Sequence, residues 1–198
     1  MKISIKTLFL SFVALSILSS CDNPPQMPKP STYLRIELTK PHYVPFSDTD
    51  YPFSFSYPDY ARIEKLDSKT PNVQWFNIHF PQYNFVTNVS VIHLSSPSSL
   101  HASINDCYTF LKRHEKISGG IIEQDFSNPQ KHVYGTTFTI KGTDVVSPYQ
   151  FYLTDSNTYF VRFALNSNAV PNNDSCSVVI DQLKKDLNHL ISSFEWRK

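Results

Sequence analysis

Cys21 is the residue whose surroundings in this sequence best suit a chemical modification. An uncharged segment, residues 7–20, precedes it and is rich in Leu, Phe, Ile and Val, with Lys2 and Lys6 placing positive charge in front. A helix that crosses a bilayer needs roughly 20 apolar residues. The segment is therefore short for a membrane span, and its length and charge pattern are typical of a signal peptide.

The residues from Leu18 to Cys21 end this segment in the pattern of a bacterial lipobox. Ser19 and Ser20 are small enough for an extended chain to fit a peptidase, and Leu18 suits an apolar subsite. The pattern predicts that a diacylglyceryl group alkylates the Cys21 thiol and that residues 1–20 are then removed. Each buried methylene of an acyl chain such as palmitate contributes about 0.8 kcal/mol, so several chains attach the protein durably to a membrane. An ordinary signal peptide with a chance cysteine, or a single-pass anchor, is the less favoured interpretation.

A proline-rich segment follows the lipid cysteine. Four prolines lie between residues 22 and 31, which predicts that residues 21–31 form a flexible, extended tether without a packed core. Residues 32–198 have the length of a single domain. The lipid would hold this domain on the extracytoplasmic side of a cell-envelope membrane. Asp22 favours the inner membrane in some bacteria, and both the inner and the outer membrane stay open.

The charge balance argues against a nucleic-acid partner. Without Lys2 and Lys6 the mature chain has 16 basic and 17 acidic residues and no basic block. Glycine is scarce, with 4 residues, whereas Phe and Tyr number 15 and 11. This composition favours a sheet-rich core over a glycine-rich nucleotide loop.

Two further cysteines, Cys107 and Cys176, fall on predicted helices in phase with the apolar residues. Buried free thiols are the favoured interpretation, and a disulfide between them is the alternative, because thiols can pair in an oxidising compartment. Two cysteines and scattered histidines do not form a metal site. We therefore expect no metal and no other cofactor.

Motifs of common enzyme classes do not occur in the sequence, including Gly-x-Ser-x-Gly, the phosphate loop, His-Glu-x-x-His and the dinucleotide fingerprint. His79 and His93 fall in neighbouring predicted strands and could face each other, although structural histidines are the simpler interpretation. Asp48 and Asp50 flank a turn that has too few oxygen ligands for calcium. We therefore expect a protein that is not an enzyme.

Alternating apolar and polar residues predict seven strands. Their ranges are 33–38, 53–57, 75–80, 85–94, 131–141, 145–154 and 158–165. A turn over residues 81–84 joins the third strand to the fourth. Trp75 is expected in the core, and Trp196 at the end of the last helix.

Two segments have helical rather than alternating spacing of apolar residues. The first helix is predicted over residues 98–118, with Ser98 or Ser99 as its N-cap. The second is predicted over residues 174–194, with Asp174 as its N-cap. Strands, a helix, strands and a helix in this order predict an α+β fold, an antiparallel β-sheet covered by two helices.

Short motifs in a fixed order extend over nearly the whole mature chain. They are Pro28-Lys29-Pro30, Tyr33-Leu34-Arg35-Ile36, Tyr51-Pro52-Phe53-Ser54-Phe55, Tyr57-Pro58-Asp59-Tyr60-Ala61, Trp75-Phe76-Asn77-Ile78, Phe80-Pro81, Lys112-Arg113-His114, Val133-Tyr134-Gly135, Gln150-Phe151-Tyr152-Leu153-Thr154-Asp155-Ser156, Pro171-Asn172-Asn173-Asp174-Ser175 and Glu195-Trp196. Together and in this order they resemble the gliding motility lipoprotein GldD family of Bacteroidetes. The order of strands and helices also resembles the Mog1/PsbP-like sandwich, a fold that often serves binding or assembly.

The family resemblance implies a part in gliding motility and in the associated type IX secretion machinery of the cell envelope. It implies protein subunits of that machinery as partners, makes His114 a candidate for a contact, and carries over no catalytic residue. Our leading hypothesis is a non-enzymatic accessory or assembly lipoprotein. The alternative is a small-ligand-binding lipoprotein with a pocket lined by Tyr and Phe between the sheet and the helices.

Overall fold

Ten strands and two α-helices make up residues 36–197, the part of the chain that the computed structural model describes. The predicted signal peptide, Cys21 and the predicted tether lie outside these residues. The elements are β1 (Tyr43–Phe46), β2 (Phe53–Pro58), β3 (Arg62–Leu66), β4 (Val73–Phe80), a 3-10 helix (Pro81–Tyr83), β5 (Phe85–His93), α1 (Pro97–Lys112), β6 (Gly120–Asn128), β7 (Val133–Lys141), β8 (Tyr149–Thr154), β9 (Tyr159–Ser167), α2 (Asn173–Ser193) and β10 (Glu195–Trp196). Neither α-helix in this part of the chain is long and apolar enough to cross a membrane.

The strands form two sheets, and all neighbouring strands are antiparallel. The large sheet has the order β3-β4-β5-β9-β8-β7-β6, and the small sheet has the order β1-β2-β10. This architecture confirms the predicted α+β class with an antiparallel sheet and two helices. The second, small sheet was not predicted.

Alternating side chains give the large sheet two faces that pack differently. On one face Phe76, Ile78 and Phe80 of β4 are fully buried and pack in a large cluster with α2 and the small sheet. On the other face a smaller cluster that includes Phe138 and Phe160 packs against α1. Full burial of one such side chain contributes about 1.5–3 kcal/mol, so the larger cluster is the main core.

β8 lies between the two helices, and all six of its residues are buried. Phe151 belongs to the large cluster, whereas its neighbour Tyr152 belongs to the small one. A strand that is covered on both faces loses the alternation of apolar and polar residues. The strand predicted over residues 145–154 is confirmed as β8, but it begins only at Tyr149.

The first helix begins and ends earlier than predicted. Its N-cap is Ser96, which forms a reciprocal capping box with Ser99. After Lys112 the backbone amides bond three residues back, which closes successive turns in place of an α-helix. Ile117 is half exposed, so its helical spacing does not reflect a buried side.

The N-cap of α2 is Asn172, and the prediction of Asp174 was wrong. The Asn172 side chain accepts a hydrogen bond from the Ser175 amide. The Asp174 carboxylate lies in the first turn, where it accepts a hydrogen bond from the Thr143 hydroxyl at 2.8 Å. A negative charge in this first turn is also favourable to the helix dipole.

Four strands were not predicted, and the strand predicted over residues 33–38 is not found in its described part. The missed strands are β1, β3, β6 and β10. Of the segment 33–38, residues 36–38 are described and form no strand. Ile36 and Leu38 are each more than a third exposed because they join neither cluster. The predicted turn between β4 and β5 is confirmed as the 3-10 helix followed by Asn84 in the left-handed conformation.

Candidate protein-binding face

One side of the large sheet is only partly covered by a helix. The small cluster beneath α1 is built from β7, β8 and β9, and among the described residues of β3–β5 only Ile92 packs against it. Within residues 36–197, no helix covers the same side of β3, β4 and β5. We call this surface the open face. The cross-strand register assigns to it Arg62, Glu64, Leu66, Trp75, Asn77, His79, Asn88, Ser90, Arg162 and Asn166.

One row of the open face leads directly to α1. Leu66 pairs with Trp75, Trp75 with Ser90, and Ser90 with Arg162. Arg162 pairs in turn with Tyr152, which lies in the cluster beneath α1. Residues that oppose each other in antiparallel strands share a face. The row therefore runs from an exposed leucine, across the sheet, to the edge of the helix.

A second feature of the open face is a ladder of three asparagines on three neighbouring strands. The Asn88 amide donates a hydrogen bond to Asn77 at 2.8 Å, and the Asn166 amide donates one to Asn88 at 2.6 Å. The Asn166 amide also donates to the Ala164 carbonyl at 3.0 Å. These bonds fix the orientation of the amide groups on the surface of the sheet.

Arg162 lies where the open face meets the carboxyl end of α1. Its guanidinium donates a hydrogen bond to Gln150 at 2.6 Å and lies 4.5 Å from the centre of the Phe110 ring. The guanidinium of Arg113 lies 4.9 Å from the same ring. The Phe110 side chain is 37% exposed, so two cations and an accessible ring are held together at this point.

The pKa values of this cluster reflect burial next to positive charge. Burial removes water from the Arg162 guanidinium and lowers its pKa below the ordinary value. Burial, and then the positive charge of Arg162, lower the pKa of His114. His114 follows α1 in the first of the closing turns and is half-buried. The candidate contact residue His114 thus follows the end of α1 at which Phe110 meets Arg162.

Acidic residues do not neutralise this cluster. The ion pairs of the described residues are Lys65 with Asp48 and Asp50, and Lys131 with Glu195, and the His79 ring also contacts Glu64. The acidic residue on the open face of β3–β5 is Glu64. Its Oε2 lies 2.7 Å from Nε2 of His79. Asp106 lies one turn before Phe110 on α1 and makes no ion pair among the described residues. Arg162 and Arg113 therefore lack a carboxylate partner in the part of the chain that is described.

Trp75 was expected in the core, and this prediction was wrong. Phe76, the next residue of β4, is fully buried in the large cluster. Successive side chains of a strand point to opposite faces, so Trp75 lies half-buried on the open face. Trp196 follows the last helix as predicted, within β10, and its indole N–H donates to the His132 carbonyl at 3.0 Å.

The histidines of the hairpin do not face each other. The register of β4 and β5 pairs His79 with Val86 and Val73 with Ile92, so His93 lies beyond the other end of β4. Residues that pair in a hairpin are equally distant from its turn, and these two histidines are not. His93 packs edge-on against Tyr159, with ring centres 5.2 Å apart.

A buried carboxylate, Asp186 on α2, was missed by the sequence analysis. It accepts hydrogen bonds from the hydroxyl of Tyr43 at 2.8 Å, from the hydroxyl of Tyr60, and from the Gln182 amide at 3.0 Å. Burial raises its pKa, although the three hydrogen bonds oppose this shift. The signal in the sequence was an acid three residues after Leu183, within the apolar stripe of the helix.

The aromatic side chains expected to line a ligand pocket pack against one another. Phe151 and Phe163 stack with ring centres 4.4 Å apart, and the Phe55 and Phe194 rings are nearly parallel at 6.5 Å. A groove of 680 Å³ lies at one end of the sheet, where Gln74 and Arg197 are among its lining residues. A second groove, of 380 Å³, lies between the sheet and α2, where Phe126, Tyr149 and Asn188 are among its lining residues.

Both remaining cysteines are free thiols in the structure. Cys107 packs in the small cluster beneath α1, whereas Cys176 packs against the large cluster on the other side of the sheet. The sheet separates them, so the disulfide that the sequence left open is not formed. Burial raises the pKa of the Cys107 thiol to about 11. Within the described residues, no three His, Cys, Asp or Glu side chains are grouped to hold a metal ion.

These features define an α+β domain with a partly uncovered sheet. In the sequence, an amino-terminal segment with the pattern of a lipoprotein precedes this domain. The chain matches the family model described as gliding motility lipoprotein GldD over residues 23–196. It belongs to this family, which confirms the resemblance seen in the sequence. Membership of a lipoprotein family implies anchorage to a membrane of the cell envelope.

Comparison with solved structures gives a match to cyanobacterial PsbP (CyanoP) from Synechocystis, solved in solution. The two proteins share 14% identity, the match covers 82% of this chain and 97% of the other, and the TM-score is 0.45. The α+β class itself rests on the strand order and the packing of the two helices described above. Comparison with curated proteins gives no significant match.

Proposed function

We propose that this protein is a non-enzymatic accessory or assembly component of the gliding motility and type IX secretion machinery. A lipid on Cys21 holds it on the extracytoplasmic side of an envelope membrane. Its domain binds a protein subunit of that machinery through the open face. Family membership supports the motility role, and the lipobox supports the anchor.

The observation that carries the binding role is the uncovered half of the large sheet. Trp75 lies half-buried there, Leu66 is 41% exposed, and Arg162 lies at the boundary with α1. Tryptophan and arginine are enriched in the parts of interfaces that contribute most to binding. A protein partner would cover this aromatic and polar surface much as α1 covers the other half of the same side.

The chemistry of the titratable groups supports a role other than catalysis. Asp186 is 1% exposed, and three donors already occupy its oxygens. The buried Cys107 thiol, with its raised pKa, is protonated at neutral pH and is a poor nucleophile. Neither group has the solvent access that a substrate would need.

Site-specific photo-crosslinking in intact cells tests this function with the full, lipidated chain. A photoreactive phenylalanine replaces Leu66 on the open face or, as the matched control, Val178 on α2. Both are exposed apolar side chains, 41% and 54% exposed, and they lie on opposite sides of the sheet. We expect an adduct with a motility or secretion subunit from position 66 and not from position 178. Adducts from neither position, or from 178 alone, would show that the open face is not the binding surface.

A further inference from the structure

We infer that the partner presents an acidic segment to the open face and that Arg162 binds one of its aspartate or glutamate carboxylates, with Phe110 and Arg113 completing the site. This inference rests on the proposed function, because it names the chemistry of the partner that the open face binds. Neither the family nor the fold comparison assigns a binding residue.

The guanidinium of Arg162 is held in place while keeping free donors. Gln150 accepts one hydrogen bond at 2.6 Å, and the Phe110 ring lies 4.5 Å away. An arginine side chain has five N–H donors. In the described residues, the one buried side-chain nitrogen or oxygen without a hydrogen bond is the Thr87 hydroxyl oxygen. Gln150 is the one acceptor bonded to this guanidinium within the described residues, so its remaining N–H groups can donate two parallel bonds to a carboxylate.

The charges around Arg162 favour an anion from outside the described domain. Arg162 of β9 and Arg113 at the end of α1 lie over the same Phe110 ring, and Lys112 precedes Arg113. Glu115, three residues beyond Lys112, forms no ion pair among the described residues. A partly desolvated cation without a carboxylate is unfavourable, and its interaction with an aromatic ring offsets only part of this cost. Binding of a carboxylate would offset the rest. Charge complementarity therefore favours an acidic partner.

The groups beside Arg162 suit a polypeptide better than another anion. The Asn77, Asn88 and Asn166 ladder presents amide groups that can pair with a backbone or with polar side chains. Trp75 adds an apolar surface in the same row as Arg162. A nucleic acid would need many phosphate contacts, which the mature chain with 16 basic and 17 acidic residues does not offer.

Substitutions of Arg162 test the inference in the lipidated chain that carries the photoreactive residue at position 66. We expect Arg162→Gln to lower the yield of the adduct at least tenfold, because a hydrogen bond to a charged group is lost. Arg162→Lys keeps the charge but loses the planar pair of donors, so we expect a similar loss. The control is Lys185→Gln, which removes an exposed positive charge from α2, on the other side of the sheet. We expect it to change the yield less than threefold, because Lys185 lies outside the open face and exposed charges contribute little.

Competition in isolated membranes identifies the anion and does not depend on how the variants fold. The wild-type adduct forms in the presence of hexaglutamate, hexaglutamine, inorganic phosphate or vesicles of phosphatidylglycerol. We expect hexaglutamate alone to reduce the yield. Competition by phosphate or by the vesicles without competition by hexaglutamate would overturn the assignment of a carboxylate.

The outcomes separate the inference from the proposed function. An adduct from position 66 that keeps its yield in Arg162→Gln would overturn the inference and leave the proposed function intact. Failure of the wild-type chain to give an adduct at position 66 would instead contradict the proposed function itself. A urea unfolding curve for each variant shows whether a lost adduct reflects lost folding, and Arg162→Lys is the variant expected to keep the fold best.

Discussion

Asp186 illustrates how one residue can stabilise a domain through its neighbours. Tyr43 belongs to β1 and Tyr60 follows β2, so their hydrogen bonds to Asp186 connect the start of the domain to α2. The Tyr43 ring also stacks on His189, with centres 3.6 Å apart. Burial of Tyr43, with its hydrogen bond to Asp186, raises the pKa of its hydroxyl to about 12, so it stays a donor at any physiological pH.

The raised pKa of Asp186 predicts a particular dependence of stability on pH. The folded protein binds a proton at Asp186 more tightly than the unfolded chain, whose aspartate pKa is about 3.8. Stability from this group is therefore complete below that pH and is lost as pH rises through the folded pKa. We expect the free energy of unfolding of the wild type, minus that of Asp186→Asn, to fall with pH by up to about 1.4 kcal/mol per unit in this window.

Urea unfolding of both proteins at a series of pH values measures this difference. The hydrogen bond with Lys65 lowers the pKa of Asp48, so the stability that Asp48 contributes rises with pH. Subtraction of the two curves removes this contribution. A difference that rises with pH would show that the three hydrogen bonds outweigh burial at Asp186. A flat difference would show that the two effects cancel.

At the scale of elements, Gly135 sets the distance between β7 and β8. A Cβ atom on this residue would lie 2.0 Å from the backbone oxygen of Tyr152, which is far too close for two non-bonded atoms. The strands would have to separate locally, and Tyr152 packs in the cluster beneath α1. Residue 135 therefore has to be a glycine for a steric reason rather than for its backbone angles.

Gly135→Ala is expected to lower the free energy of unfolding by at least about 1–3 kcal/mol, the usual cost of overpacking. The matched control is Gly119→Ala, because an added Cβ there meets its nearest atom at 3.9 Å, an ordinary contact. Urea unfolding of both variants checks the prediction. Equal stabilities would mean that β7 and β8 can separate without loss.

The strands show which elements a sequence can reveal. β2, β4 and β5 have one buried side and one exposed side, so their apolar residues alternate and were found. β3 and β6 are the edges of the large sheet and are largely exposed, so burial imposes no such pattern on them. Edge strands of natural sheets often carry charges, and this further hides them from a search for apolar alternation.

The candidate site was less predictable than the fold for a related reason. Alternation shows that Trp75 and Phe76 point to opposite sides of a sheet, but not which side a helix covers. That choice depends on where α1 packs, which contacts distant in sequence decide. Arg162 likewise reads as one charged residue in an apolar strand until Phe110 of α1 is seen beside it. His114 was noticed only through the family resemblance.

At the scale of the whole molecule, the first described residues show where the chain meets the large sheet. The Thr39 amide donates to the Tyr83 hydroxyl at 2.9 Å, and its hydroxyl donates to Gln82 at 3.3 Å, so the chain first meets the sheet at the turn between β4 and β5. Phe80 is the residue of β4 next to this turn, and Val73 lies at the opposite end of the strand. The row of Trp75 and Arg162 therefore lies toward the end of the sheet remote from the entry point.

Cys21→Ser tests whether the lipid only locates the protein or also makes the binding efficient. Residues 1–20 are removed only after the lipid is attached, so Cys21→Ser is made with the signal peptide of a secreted, non-lipidated protein in their place. We expect this protein to move from the membrane fraction to the soluble extracytoplasmic fraction. The described domain begins beyond Cys21, so its unfolding curve should not change. A tether confines the domain near membrane-bound partners and can raise the effective affinity by two or more orders of magnitude. We therefore expect the adduct from position 66 to fall at least tenfold.

The control, Cys176→Ser, removes a half-buried thiol and should change neither the fraction nor the adduct. A soluble Cys21→Ser protein that keeps its full adduct would mean that the open face binds tightly by itself, and the lipid would then determine only where the complex forms.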